Sequence, residues 1–249
     1  MRKNVKGNIN IAKYDGVVFF NFNGANNTDR KCYWIHPKQG QLEKYGPKKI
    51  NLLTDLLKIK GSHLMYYRDN DNTYNKGIIY LKRKSKSTGK IILGSIEYQG
   101  TGSDFKTKYI SENKDHDVFN YSNDNRASQL LDNKFHSIQE WLGATYHLDY
   151  PLHPDLITRH FKNPRSSDII LSNDGSVVFN INHGKQYSKS IYNHDLGLNS
   201  CMNVPLIIGG SLEIPHKEIL YCKTTDIVPT LLHLMGQKPH NSVIGKNLI

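Results

Sequence analysis

The sequence predicts a mixed α/β fold, a sheet flanked by helices, with a smaller α+β unit inserted at about residues 45–125. Three observations predict it. Short apolar runs of strand length, such as GVVFFNF (16–22) and DIILS (168–172), end in clusters of Gly, Asn and Asp. Other segments repeat their apolar residues at helical spacing and close on a glycine. Finally, 249 residues suffice for a large core, and 15 Tyr, 8 Phe and 2 Trp enrich a chain that is only 37% hydrophobic.

GVVFFNF reads as a buried strand followed by the polar NGANNTD, and CYWIH (32–36) as a second strand. Pro47 opens a helical pattern, KKINLLTDLLKIKG, with Ile50, Leu53, Leu56 and Leu57 on one face and Gly61 as the stop. HLMYYRD (63–69) is the next strand. GIIYL (77–81) and KIILGSIEY (90–98) follow and flank the basic run KRKSKSTGK (82–90). Residues 99–123 are polar and read as connection. One helix is expected over NDNRASQLLDNKFHSIQEWLG, where Leu130, Leu131, Phe135, Ile138 and Leu142 keep helical spacing. His136 within it and His147 after it read as structural or exposed. A short helix around 154–162 takes Pro154 in its first turn. DIILS and SVVFNI (176–181) are strands joined by NDG, a hairpin signal. Val204 to Ile208 is apolar and β-rich, the pattern of a buried strand. KTTDIVPTLLHLMG (223–236) is a helix capped by Thr225 or Asp226, apolar along Leu231, Leu232 and Met235, and ended by Gly236.

The formal charge of +11 permits two readings of the basic run: a solvated loop, or a nucleic-acid contact that releases counterions from phosphates. No aromatic RNA-binding motif, helix-turn-helix signature or zinc knuckle accompanies it, and the same field would draw in any small anionic substrate. No apolar run approaches the roughly 20 residues that cross a bilayer, so no membrane partner is expected. The N-terminus lacks the apolar stretch of a secretory leader. Cys32, Cys201 and Cys222 are too scattered for a disulfide framework or a paired metal site. A cytoplasmic location is the expectation.

Several pieces stand in a set order: DIILS, NDG, SVVF, then NHDLGLNSCMNVPLIIGG, TTDIVPTLLHLMG and VIGKNLI. In that order they resemble the C-terminal portion of the alkaline phosphatase superfamily, in its type I phosphodiesterase/nucleotide pyrophosphatase and sulfatase-like branches. In that family the His of a G-x-H-G loop ligates a catalytic metal. A Met eight residues later leads into the strand M-x-V-P-L-I-I-x-G, the helix D-I-x-P-T follows, and G-x-S-L closes the pattern. Here His194, Met202 to Pro205, Asp226 to Thr230 and Gly245 to Leu248 hold those places. The resemblance covers about 154–249; residues 1–150 match it more weakly.

The resemblance implies one incomplete alkaline-phosphatase-like sandwich over 1–249, with 154–249 supplying the metal-ligand loop, core strand and closing helix. It implies a divalent metal, usually zinc, with His194 as ligand, and hydrolysis of anionic phosphoric esters. His183 in NHGK is a fallback ligand whose spacing to Met202 differs, and Asp195 replaces the family's glycine. The family's nucleophile, its Asp-His-Gly motif and its other ligands have no counterpart; DHD (115–117) is nearest and stands elsewhere. One imidazole does not by itself activate a nucleophile and steady a phosphorus centre. The expectation is therefore a portion that is inactive alone and completed by a separate N-terminal half. The alternative is a non-catalytic basic binding or structural module that contacts nucleic acid through 82–90. A sheet lacking its other half is expected to leave an apolar face open and to associate.

Overall fold

Strand pairing organises the first of two units, Met1–Met202, around one sheet. The computed structural model describes residues 9–14, 16–22, 36–68, 71–113, 116–175, 178–179, 197–210 and 214–249. In chain order the first unit holds β1 (Ile9–Lys13), β2 (Val17–Phe22), α1 (Gln39–Glu43), α2 (Leu52–Lys58), β3 (Ser62–Arg68), β4 (Lys76–Lys84) and β5 (Ile91–Gln99). Then follow β6 (Lys106–Ser111), β7 (His136–Ser137), α3 (Ile138–Thr145), α4 (His153–Phe161), β8 (Ile169–Asn173) and α5 (Asn199–Met202). The sheet has 8 strands in the order β1-β2-β8-β3-β4-β5-β6-β7. Every neighbouring pair is antiparallel.

The mixed α/β class is thus observed, with an open antiparallel sheet. Short links between β3, β4, β5 and β6 favour hairpins, because a parallel pairing needs a long crossover. The strands of residues 62–111 continue the same sheet as β2 and β8. Strand β8 returns to lie between β2 and β3, and all five of its residues are buried.

Alternation along the strands divides two layers. On one face Val18, Phe20, Phe22, Met65, Tyr67, Ile169 and Leu171 pack with Leu42 of α1 and Leu53 and Leu57 of α2. Burying each large side chain contributes about 1.5–3 kcal/mol. On the other face Tyr66 Oη lies 2.7 Å from His153 Nε2, and Arg68 Nη1 donates to the Phe161 carbonyl at 2.7 Å. These bonds hold α4 to the sheet. Trp141 of α3, fully buried, donates from Nε1 to the Thr107 carbonyl at 3.3 Å.

Several expectations need correction. The helix after Pro47 begins only at Leu52, because Asn51 caps it by accepting from the Thr54 amide, while Tyr45 and Ile50 bridge across the preceding turn. The expected helix through NDNRASQLLDNKFHSIQEWLG is broken into short 3-10 turns, β7 and α3. Asn133 is left-handed (φ 64), and Ser137 with Glu140 forms a capping box that starts α3 afresh. The polar stretch 99–123 contains β6, whose buried Thr107 and Tyr109 alternate with less buried residues; β1 also went unread. Of SVVFNI only 178–179 is described, without strand structure, and CYWIH is described only at His36.

The second unit, Asn203–Ile249, carries a 3-10 turn (Thr224–Asp226) leading into α6 (Ile227–Leu234), and Gly236 follows at φ +68 as a left-handed stop. The strand expected at Val204 to Ile208 is not formed: no ladder pairs it among the described residues, and Val204 and Ile207 are 75% and 89% exposed. A strand needs a neighbour for its N–H and C=O groups, and Pro205 removes one donor. The face expected to be buried on α6 is also open, with Met235 70% exposed, because Asp226, Pro229, Thr230 and Leu248 fill this small interior. Among the described residues no helix is long and apolar enough to cross a membrane.

Candidate functional site

The basic run forms the end of β4, a turn over Ser85–Lys90 and the entry to β5, with Lys84 opposite Ile91. The turn is closed by Ser85 N to Lys90 O (2.8 Å) and Gly89 N to Ser85 O (2.9 Å). Strand alternation then splits the charges. Lys82 points to the face of Tyr67, its Nζ 5.7 Å from that ring, and burial lowers its affinity for a proton. Arg83 points to the other face and is 8% exposed. The run is therefore not one continuous basic surface.

Arg83 forms the inner wall of a cleft of about 510 Å3 at this end of the sheet. His63 stands beside it for a reason of backbone geometry. Strict alternation would place His63 with Met65 on the opposite face from Leu64. The register between β3 and β8 shifts between Ser62 and Leu64, and this bulge lets His63 line the same cleft as Arg83. Burial lowers the His63 pKa first; the Arg83 and Lys86 cations lower it further, against Asp174 and a hydrogen bond at the Lys84 backbone. Lys86 pairs with Asp174 at 3.2 Å.

A folded loop holds Arg83 in place. Its Nη2 donates to the Asp117 carbonyl at 2.9 Å and to Asn120 Oδ1 at 2.8 Å. Asn120 is left-handed (φ 60), a conformation asparagine tolerates. The loop is shaped by the fully buried Asp117 carboxylate, which accepts from Tyr109 Oη (3.0 Å), Phe119 N (2.8 Å) and Ser122 N (2.7 Å). Asp149 and Tyr150 continue the wall, and burial pushes the Tyr150 hydroxyl up to about 12. Leu198, Asn199 and Ser200 complete the lining. This segment is anchored by Asn199 N donating to the Asp149 carbonyl at 2.8 Å and Asn199 Nδ2 to the Tyr146 carbonyl at 3.2 Å.

The candidate metal ligand His194, the fallback His183 and Asp195 lie outside the described residues. Among the described residues no three His, Cys, Asp or Glu side chains converge as a metal ion requires, so these residues do not by themselves fit a metal centre. Of the other histidines considered in the sequence, His136 is buried between Asp132 and Glu140, and His147 reaches Asp124 at 2.8 Å.

The tail motifs meet in the second unit. Asp226 is fully buried and accepts from Lys223 N (2.9 Å) and Lys246 N (3.0 Å). Thr230 Oγ1 donates to the Asp226 carbonyl at 2.6 Å and accepts from Leu248 N at 3.2 Å. Asp226 stands at the N-cap position of α6 as expected, but its carboxylate makes no cap bond to that helix and ties the last residues to it instead. These positions thus secure the tail.

Sequence reasoning missed His63 and Asn120, and took Arg83 only as one member of the basic run 82–90. The bulge that aims His63 has no composition signal, and Arg83 was hidden among lysines until its strand phase separated it. Comparisons of the chain with protein-family models, with curated proteins and with solved structures find no match.

Proposed function

We propose that the chain is the C-terminal portion of a metal-dependent phosphoric-ester hydrolase homologue, built to receive an anionic ester and inactive in hydrolysis by itself. One observation carries this reading. The cleft walled by Arg83 and His63 is closed by Leu198, Asn199 and Ser200, which follow His194 by only a few positions in the sequence. A candidate metal ligand and a cationic ester-binding wall are thus neighbours along the chain.

In this reading the alkaline-phosphatase-like sandwich is completed by a separate N-terminal half, which brings the nucleophile and the remaining ligands of a divalent metal, zinc being the usual choice. The metal would supply Lewis-acid polarisation of the ester. The part of this chain is to bind and orient: Arg83 offers a fixed cation, the Asp117–Asn120 loop holds its guanidinium, and residues 198–200 close over the site. Exposed Val204, Ile207 and Met235 in the second unit supply apolar surface for the missing half.

The test is reconstitution. The purified chain is assayed with bis(p-nitrophenyl) phosphate and zinc, alone and after co-expression with the product of the neighbouring upstream reading frame. Hydrolysis only in the pair, lost together with bound zinc in His194→Ala, supports the reading. Hydrolysis by the single chain, or a pair that takes up no zinc and turns over no ester, overturns it. The alternative, a nucleic-acid-contacting module, is less favoured because Lys82 and Arg83 sit on opposite faces of β4.

A further inference from the structure

Among the described residues two arginines of the first unit are buried, Arg68 and Arg83, and one of them has a carboxylate. Arg68, 2% exposed, has its Nε 3.9 Å from Asp168. Arg83, equally inward at 8% exposed, has none within 4.0 Å among the described residues. Its hydrogen-bond acceptors, the Asp117 carbonyl and Asn120 Oδ1, are neutral, and both are served by Nη2. Its Nε is buried without a partner. A buried cation without a counter-charge is costly, typically several kcal/mol, so the arrangement persists most readily where a ligand supplies the charge.

We propose that the Nη1 group of Arg83, the guanidinium nitrogen not engaged by the Asp117–Asn120 loop, grips one phosphoryl group of a monomeric phosphoric ester in this cleft, with His63 beside it. A guanidinium N–H to a phosphate oxygen is a charge-assisted hydrogen bond, roughly twice as strong as a neutral one. The outer cleft decides the ligand's size and charge. Lys86 is already engaged by Asp174, and Asp149 is exposed at the rim. A second phosphate would meet these carboxylates, so pyrophosphate and nucleic-acid backbones are rejected while a single phosphoryl group reaches the inner wall. A volume of about 510 Å3 suits one small ester. Ser87 and Ser200 on the lining offer hydroxyls to a polar alcohol portion. The ligand class rests on the phosphoric-ester reading above; the anion site itself rests on Arg83.

The experiment titrates the full chain with inorganic phosphate and phenyl phosphate, followed by calorimetry and phosphorus NMR, with pyrophosphate and a single-stranded dodecanucleotide as competitors. Both monophosphates are expected to bind, tenfold or more weakly in Arg83→Gln, and unchanged in Lys82→Glu on the opposite face. Should Arg83→Gln fail to fold, Ser87→Glu places a carboxylate in the cleft from an exposed turn and is expected to abolish binding. Asp149→Asn is expected to admit pyrophosphate. Phosphate affinity unchanged in Arg83→Gln or Ser87→Glu, or an oligonucleotide that displaces phosphate, overturns the proposal. In the reconstituted pair, hydrolysis with an unaltered KM in Arg83→Gln sinks this site and leaves the hydrolase reading standing. Phosphate binding without any reconstituted hydrolysis does the reverse.

Discussion

Gly197 lies against the ring of His153 so closely that a Cβ on it would stand 2.7 Å from Cε1 of the imidazole. Gly197 also adopts φ +64, where a side chain is strained. This contact seats the segment that closes the cleft upon a fully buried residue of α4. Gly197→Ala is therefore expected to lower Tm by several degrees, consistent with about 1–3 kcal/mol for strain plus overpacking. It should also weaken phosphate binding, because Leu198 to Ser200 lose their position; calorimetry of the same variant measures both.

His153 makes the fold acid-sensitive. Burial pushes its pKa from 6.5 down to about 3, so the folded state keeps it neutral where the unfolded chain takes up a proton. Below pH 6.5 the unfolded state binds more protons, and stability falls with pH until about 3 is reached. The full contribution is present above 6.5. The slope is on the order of 1 kcal/mol per pH unit. His63 and His160, also lowered by burial, act in the same direction. Urea unfolding at a series of pH values should show this slope, and His153→Phe should flatten it.

Asp168 is a junction for distant segments: it accepts from Phe22 N at 2.8 Å, and its carboxylate lies 2.5 Å from His36 Nδ1, with Arg68 close by. Arg68 in turn donates to the carbonyls of Phe161, Asn163 and Ser166 and so binds the turn after α4. Asp168→Leu leaves Arg68 uncompensated and is expected to cost about 3–5 kcal/mol. The double variant Asp168→Leu/Arg68→Met should recover part of that loss. Destabilisation in the double variant equal to the sum of the two single variants, read from urea unfolding, would show that the pair is not coupled.

The chain end is held by two side chains of the closing helix region. Removing the acceptors in Asp226→Ala or Thr230→Val should free Lys246 N and Leu248 N, at about 1–3 kcal/mol for the buried Leu248 amide and less for the part-buried Lys246 amide. Gly245→Ala has the same expected effect by another route, since its Cβ would fall 1.9 Å from the Thr225 carbonyl. Digestion by carboxypeptidase is expected to speed up roughly tenfold in each variant, which corresponds to about 1.4 kcal/mol of lost docking. Cleft affinity for phosphate should not change.

Strands with strong local patterns were legible in advance. HLMYYRD and DIILS became β3 and β8, and the two runs flanking KRKSKSTGK became the β4–β5 hairpin, because apolar β-rich segments bounded by turn residues have few other stable states. Pro154 marked the start of α4 correctly. Where local signals were mixed, tertiary contacts chose: Thr107 and Tyr109 made a strand of a polar stretch, and Ser137 cut a long helical pattern short. Val204 to Ile208 reads as a strand but has no partner ladder among the described residues.

The sequence by itself determined the mixed class, the position of the basic hairpin and the order of the tail motifs, because propensity, turn chemistry and periodicity act over a few residues. Only the tertiary structure decided that Arg83 turns inward with no carboxylate within 4.0 Å among the described residues, that a bulge brings His63 beside it, and that Asn120, Asp149 and Ser200 join them. Those relations depend on strand phase and on contacts between residues far apart in the chain, and no local pattern encodes either.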